Sequence, residues 1–228
     1  MIDKLSWIVV YPEIVLLIMA SVIALVDLGI NSPRRTGTYV LTLLTLVVVA
    51  AMEAVYALGG QTFYGFGNMV VSDPMGSWLK CFASIAVMVT LVYGRPYAAD
   101  RQMLRGGEFF TLSLFGLLGM FVMISGHNFL VIYMGLELFT LSSYALVALR
   151  RDHATATEAA MKYFVLSALA SGFLLYGMSM LYGATGSLDL NDVFKASPIG
   201  TGAVSQCHHC RWPWRGLQQF RLRRPRSP

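Results

Sequence analysis

The sequence predicts an all-α fold, a polytopic membrane helix bundle with about six transmembrane helices. Hydrophobic residues make up 56% of the 228-residue chain and charged residues only 13%, whereas soluble domains carry roughly 25% charged residues. The mean hydropathy is +0.61. The apolar residues are gathered into runs of about 20 residues, which is the length that one bilayer crossing requires.

Six spans follow from the length of each apolar run and the charges beside it. They cover residues 7–30, 37–59, 75–94, 107–125, 127–149 and 155–184. Pro12 and Glu13 interrupt the first run early, and we place them near one membrane interface. Lys80 lies about a turn inside the third span, where its long stem can extend outward to the headgroups.

Small residues and terminal acids predict how these spans pack. Gly116 and Gly119 in span four, and the small residues between Ser167 and Gly177 in span six, predict faces buried against other helices, because membrane helices associate through such residues. Glu53 near the end of span two and Asp27 near the end of span one are assigned structural roles, since interface positions tolerate acids and helix termini can stabilise charges.

The charges of the loops predict an orientation. One side carries seven arginines, namely Arg34, Arg35, Arg95, Arg101, Arg105, Arg150 and Arg151. The other side carries only Lys4 and Lys195. The positive-inside rule makes the arginine side cytoplasmic, so the N-terminus is predicted to be non-cytoplasmic. We expect a multi-pass protein of a bacterial inner membrane, whose first span is not a cleaved signal peptide.

The basic balance of the chain comes from residues 201–228. This tail has six arginines and no acid, whereas residues 1–200 carry eleven Lys/Arg and twelve Asp/Glu, a net charge of −1. A nucleic-acid partner is therefore not expected. Cys207, His208, His209 and Cys210 have a spacing that can bind zinc, but a single Cys-x-x-Cys is a weak signal and no metal site is predicted. The abrupt change of composition suggests a disordered or out-of-frame tail, which resequencing of the gene would test.

Glu137 is the strongest candidate site residue. It lies inside the run from Asn128 to Leu149, which has no other charged side chain. A carboxylate at such a depth costs about 2.5–3.5 kcal/mol and usually marks an ion or proton pathway. Lys162, in the next span, lies four residues after Glu158, in the order that favours an ion pair along one helix face. These residues predict either proton transfer or a permanent acid–base contact that only fastens helices together.

Two motifs carry a resemblance to a known family. One is Gly135-Leu-Glu137-Leu with the Ser-Ser-Tyr-Ala-Leu that follows, and the other runs from Glu158 to Gly177. Together with Pro12-Glu13 and Asp73-Pro74, they make residues 1–200 similar to the antiporter-like N subunits of proton-pumping NADH-quinone oxidoreductase, respiratory complex I.

The resemblance implies the N-terminal part of an antiporter-like bundle, in which three leading helices precede two inverted repeats of five helices. Glu137 matches the buried glutamate of the family's fifth helix, and Lys162 with Glu158 matches the charges of its sixth. Such subunits line a hydrated axis through which electron transfer to a quinone such as ubiquinone drives proton export. NADH, quinone, FMN and the iron–sulfur clusters are bound by other subunits, so this chain is expected to bind no cofactor and to contribute no catalytic residue.

The sequence departs from the family pattern beyond about residue 200. The broken seventh helix, the lysine of the eighth helix and the second repeat are not found in residues 201–228, so we expect the chain to be unable to pump protons alone. Its partners would be the lipid bilayer and the other membrane subunits of complex I. Two other functions fit the same buried charges: a monovalent cation/proton antiporter subunit, and a non-catalytic membrane scaffold.

Overall fold

The structure is a computed structural model that describes residues 4–29, 36–100, 107–150 and 154–196. Its elements run in the order α1 (Lys4–Val9), α2 (Tyr11–Gly29), α3 (Thr36–Gly59), β1 (Phe63–Gly65), β2 (Val70–Ser72), α4 (Pro74–Asp100), α5 (Glu108–Ser125), α6 (Phe129–Val147), α7 (Ala154–Thr185) and α8 (Leu190–Ala196). Within the described residues, the six helices α2 to α7 are long and apolar enough to cross a membrane. The predicted membrane bundle is confirmed, and the predictions for residues 201–228 lie outside the described residues.

Helix α5 is central to the bundle because its apolar side chains meet three other helices. Phe110, Leu114, Leu117 and Phe121 are fully buried on it. The core they form with α2, α3 and α4 consists of Leu16, Ala20, Ile23, Leu46, Val49, Leu91, Ala98, Phe110, Leu114, Leu117, Leu118 and Phe121. Helices α6 and α7 follow in sequence and extend the bundle to one side, since α6 packs on α5 and α7 packs on α6.

The two predicted small-residue faces differ in their surroundings. Gly116 and Gly119 are buried on α5, as predicted. On α7, a side chain added at Gly172 or Gly177 would meet no atom within 4 Å, and Met178 is the one buried residue of that helix within the described residues. The predicted burial of the α7 face is therefore absent from the described part of the chain, because no helix of that part covers it.

A short hairpin occurs where the sequence suggested a plain loop. Strands β1 and β2 pair antiparallel, with Phe63 opposite Ser72, and Val70 also forms a bridge with Gly126 at the turn between α5 and α6. The turn of the hairpin includes Gly67 with φ of 65°, a conformation that glycine adopts without steric cost. We call this side of the bundle the hairpin end. It contains the beginning of α2, the end of α3, the beginning of α4 and the end of α5.

Asp27 connects three helices at the opposite end of the bundle. Its carboxylate accepts a hydrogen bond of 2.9 Å from the Thr38 hydroxyl on α3 and one of 2.7 Å from the Gly107 backbone N–H before α5. Gly107 allows this approach, since a Cβ at that position would overlap the Asp27 carboxylate. These contacts agree with the structural role predicted for Asp27.

Replacing Asp27 by alanine is expected to destabilise the bundle by about 1–3 kcal/mol, because buried donors would lose their acceptor. The matched control is Thr38→Val, which removes the hydrogen bond from the Thr38 hydroxyl and should cost about 1 kcal/mol. Thermal denaturation of the purified protein in detergent measures both effects. Equal denaturation midpoints for the parent and Asp27→Ala would contradict the assignment.

Candidate functional site

Glu137 lies in the interior of α6, about 12 Å along the axis from the first residue of that helix at 1.5 Å per residue. Its side chain is half-buried, and its Oε1 atom is buried without a hydrogen-bond partner in the described part of the chain. The phenol of Tyr133, one turn earlier, lies close enough to the Glu137 carboxyl group to interact with it. The structure thus holds this carboxyl group among apolar residues with one neutral donor beside it.

The position of Glu137 depends on a close contact between α5 and α6. A Cβ added at Gly119 would lie 2.6 Å from the backbone nitrogen of Phe139 and 2.8 Å from the carbonyl oxygen of Gly135. A Cβ at Gly135 would likewise lie 2.8 Å from the backbone nitrogen of Met123. The two helix backbones therefore touch at these glycines, and the contacting α6 residues, Gly135 and Phe139, lie two positions on either side of Glu137.

Lys162 and Glu158 form an ion pair on α7. The Lys162 Nζ to Glu158 Oε1 distance is 2.6 Å, and the two side chains are 71% and 64% exposed. The predicted pair is present, but neither residue is buried within the described residues. The sequence predicts an acid and a base on consecutive buried helices, and the structure places the second of these helices at the edge of the described bundle.

The structure also separates Lys162 from Glu137. Tyr144 on α6 packs against Tyr163 on α7, with ring centroids 5.1 Å apart. These two residues therefore lie at about the same height along the axes of their helices. A short connection makes consecutive helices antiparallel, so Glu137, seven residues before Tyr144, is level with about residue 170 of α7. Lys162 is then roughly 12 Å away along the axis. The two predicted site residues are not direct partners.

A second set of buried charges was not predicted from the sequence to form a site. Glu13 on α2, Glu53 on α3 and Lys80 on α4 form what we call the charged triad. The Lys80 Nζ atom is 2.6 Å from Glu13 Oε1 and 3.5 Å from Glu53 Oε1, with side-chain exposures of 3%, 5% and 1% for Lys80, Glu13 and Glu53. The Ser125 hydroxyl donates a 2.6 Å hydrogen bond to Glu13. The Lys80 ammonium also lies 5.5 Å from the Phe121 ring centroid.

The triad corrects the prediction made for Lys80 from the sequence. Lys80 does not extend to the headgroups, because its ammonium is already neutralised by carboxylates inside the bundle. Glu13 and Glu53 face the interior of the bundle rather than solvent, since helix packing buries both, and their predicted depth near an interface stays a prediction. The sequence does contain a pattern that indicates this cluster. The three residues lie on successive antiparallel helices, and each is within a few turns of the helix end on the same side of the bundle. They therefore lie at similar depth.

The described residues contain no group of three or more His, Cys, Asp or Glu side chains placed to hold a metal ion. The charged triad has only two such side chains and an ammonium group in their midst. What the arrangement can do chemically is hold, release or pass protons: the triad at the hairpin end, and Glu137 in the interior of α6.

Comparisons with known proteins identify the family. The family described as "NADH:quinone oxidoreductase/Mrp antiporter, TM" matches residues 126–209. NADH-quinone oxidoreductase subunit N of Polaromonas naphthalenivorans is 84% identical over 196 residues, which are 86% of this chain and 39% of that protein. The chain belongs to the subunit N family. Subunit N of Herminiimonas arsenicoxydans is 58% identical over 207 residues, 90% of this chain and 42% of the relative.

Solved structures agree with this membership. A chain in the structure of respiratory complex I from Thermus thermophilus with bound aureothin is 29% identical, with a TM-score of 0.64 over 78% of this chain and 38% of that one. A chain of the membrane-bound sulfane sulfur reductase, an archaeal respiratory membrane complex, is 21% identical with a TM-score of 0.63 over 82% of this chain and 39% of its own length, which shows the fold alone. The chain is thus a multi-pass membrane protein that spans about two fifths of its subunit N relatives.

Proposed function

We propose that this chain is part of a membrane-arm subunit of proton-translocating NADH-quinone oxidoreductase. It would lie in a bacterial inner membrane with its N-terminus on the non-cytoplasmic side and contact other membrane subunits. Electron transfer from NADH to quinone, through FMN and iron–sulfur clusters in other subunits, would drive proton export. The observation that carries the proposal is the Glu137 carboxyl group, which has a buried oxygen without a donor in a chain 84% identical to a subunit N.

Glu137 can act through its protonation state. Burial favours the neutral carboxyl and a nearby cation favours the carboxylate, so a change of charge elsewhere in the membrane arm alters its proton affinity. Lys162, at roughly 12 Å and an effective dielectric of about 20, would interact with Glu137 by at most about 1.4 kcal/mol. That energy is about a tenfold change in proton affinity, and the Glu158 carboxylate beside Lys162 reduces it further. Lys162 and Glu158 are therefore modulators of Glu137 rather than its direct proton partners.

The test is Glu137→Gln in the purified oxidoreductase reconstituted into vesicles. Glutamine keeps the shape of the side chain but cannot exchange a proton, so proton pumping should fall by roughly tenfold or more, given the usual contribution of a positioned proton-transfer group. Pumping per electron transferred and the amount of assembled complex are measured on the same preparation.

The matched control is Glu108→Gln, which changes an exposed carboxylate in the first turn of α5 and should leave pumping unchanged. Full pumping by an assembled Glu137→Gln enzyme would overturn the proposal. A loss of assembly together with pumping would indicate a structural role for Glu137 instead.

A second candidate function is a monovalent cation/proton antiporter subunit, because the description of the matching family also names the Mrp antiporter. Sodium-dependent proton movement in vesicles that contain the assembled complex, in the absence of NADH, would favour this function. Proton movement that depends on NADH oxidation and is independent of sodium favours the oxidoreductase.

The third candidate is a non-catalytic scaffold in which these charges only order helices. Glu137 and Lys162 would then be replaceable together by leucine and methionine, because apolar residues of similar volume often substitute for buried charges without loss of stability. A scaffold should keep both assembly and pumping in this double variant. The proposed function predicts that assembly survives and pumping does not.

A further inference from the structure

We propose that the charged triad is a second protonatable site, in which Glu53 holds one proton that exchanges with water at the hairpin end of the bundle. This inference goes beyond the proposed role of Glu137, since it concerns other helices. It rests on the geometry of Glu13, Glu53 and Lys80.

The first argument is the charge balance of the triad. Two carboxylates and one ammonium carry a net charge of −1 when all three are ionised, and all three side chains are at most 5% exposed. An uncompensated charge in such surroundings is strongly unfavourable, and a group in this position usually becomes neutral instead. One proton on either of the two carboxyl groups makes the triad neutral.

The second argument comes from the oxygen atoms that lack donors. Glu13 Oε2 and Glu53 Oε1 are buried without a hydrogen-bond partner in the described part of the chain. An ionised carboxylate can only accept hydrogen bonds, whereas a protonated carboxyl group supplies a donor of its own. A proton on one of the two carboxyl groups therefore reduces the number of buried acceptor atoms that lack a donor.

The distances indicate which carboxyl group carries the proton. Glu13 Oε1 is 2.6 Å from the Lys80 ammonium and accepts a further 2.6 Å hydrogen bond from Ser125, so its negative charge is well compensated. Glu53 is 3.5 Å from the same ammonium, too far for a short charge-assisted hydrogen bond. Glu53 is therefore the less compensated acid and the site of the proton.

The other polar groups around Glu53 do not change this balance. Lys80, Glu13 and the Ser77 hydroxyl of α4 interact with Glu53, and the phenol of Tyr56 on α3 lies within electrostatic range of both carboxylates and of the Tyr11 phenol. Helix α5 contributes the Ser125 hydroxyl and the Phe121 ring. Hydroxyl groups and an aromatic ring add no charge at neutral pH, so Lys80 is the one cation among these groups.

A narrow gap lies between β2 and the first turns of α4, on the hairpin side of Lys80. Its lining residues are Val71, Ser72, Asp73, Gly76, Ser77, Lys80 and Ile124. Asp73 accepts a hydrogen bond from the Gly76 backbone N–H, so its carboxylate is held at the beginning of α4. Ser72, Asp73 and Ser77 therefore place polar groups between the hairpin and Lys80, and Ser77 and Lys80 both interact with Glu53.

The test uses infrared spectra of the purified membrane complex that contains the chain, recorded for the parent and each variant. Glu53→Gln should remove one protonated-carboxyl C=O signal. Glu13→Gln should remove the same signal, because Glu53 then becomes the sole anion beside Lys80. Lys80→Met should add a second signal, since no cation remains to compensate Glu13. In the parent, the signal should shift in deuterated buffer, which reports exchange with water.

Identical carbonyl regions in the parent, Glu53→Gln and Lys80→Met would overturn the proposal, because the triad would then be fully ionised. A parent signal that does not shift in deuterated buffer would overturn the exchange with water. If Glu53→Gln fails to assemble, Lys80→Met alone decides, since it must gain a signal. Glu108→Gln is the control and should leave these signals unchanged. The spectra require no turnover, so their outcome is independent of whether Glu137→Gln stops pumping.

Discussion

Gly119→Ala is expected to separate α5 from α6 and to destabilise the protein by about 3 kcal/mol, the upper part of the usual range for overpacking. The added methyl group would lie 2.6 Å from the Phe139 backbone nitrogen and 2.8 Å from the Gly135 carbonyl oxygen. These are backbone atoms of a helix, so they cannot rotate away as a side chain can. Relief requires the whole of α6, with Glu137, to shift.

The matched control is Gly116→Ala, one turn earlier on α5. A methyl group there would lie 3.2 Å from the Ser142 hydroxyl oxygen, which is the end of a short side chain that can change rotamer. Alanine also favours a helix by about 1 kcal/mol over glycine, so the net effect should be under about 1 kcal/mol. The amount of assembled complex in native gels and its thermal denaturation midpoint distinguish the two variants. Equal behaviour would mean that the α5–α6 contact is looser than the structure shows.

The six membrane spans could be predicted from the sequence because their signal is local. The length and apolarity of one run decide whether it can cross a bilayer, and no knowledge of its neighbours is needed. The predicted span at residues 37–59 agrees with α3 (Thr36–Gly59), and that at 155–184 agrees with α7 (Ala154–Thr185). The hairpin was not predicted, since strands of three residues carry too short a pattern.

The candidate site was harder to predict because it depends on which helices meet. Glu137 was found from the sequence, since one charge in a long apolar run is a local signal. Lys80 was assigned to the headgroups because its stem is long enough to reach them, and only the packing of α2, α3 and α4 shows that Glu13 and Glu53 compensate it inside the bundle. For Lys162, the described residues supply the Glu158 partner but no helix that covers the pair.

Lys80→Met is expected to destabilise the protein by about 3–5 kcal/mol, the usual cost of removing one partner from a buried ion pair. Methionine has a similar length and fits the same apolar space beside Phe121, so packing is retained and the effect reports the lost charge. Glu13 would then lose its 2.6 Å ammonium partner and keep the hydrogen bond from the Ser125 hydroxyl. Thermal denaturation of the purified complex and its abundance in the membrane measure the loss.

The double variant Lys80→Met/Glu13→Gln separates charge from shape. Its triad would contain a neutral amide and Glu53, which our inference makes a neutral acid, so no uncompensated charge remains and most of the lost stability should return. Glu13→Gln alone leaves Lys80 with Glu53 as its counterion and should cost less than Lys80→Met. If the double variant is as unstable as the sum of the two single changes, the residues act independently, and Lys80 stabilises the bundle through packing of its stem rather than through its charge.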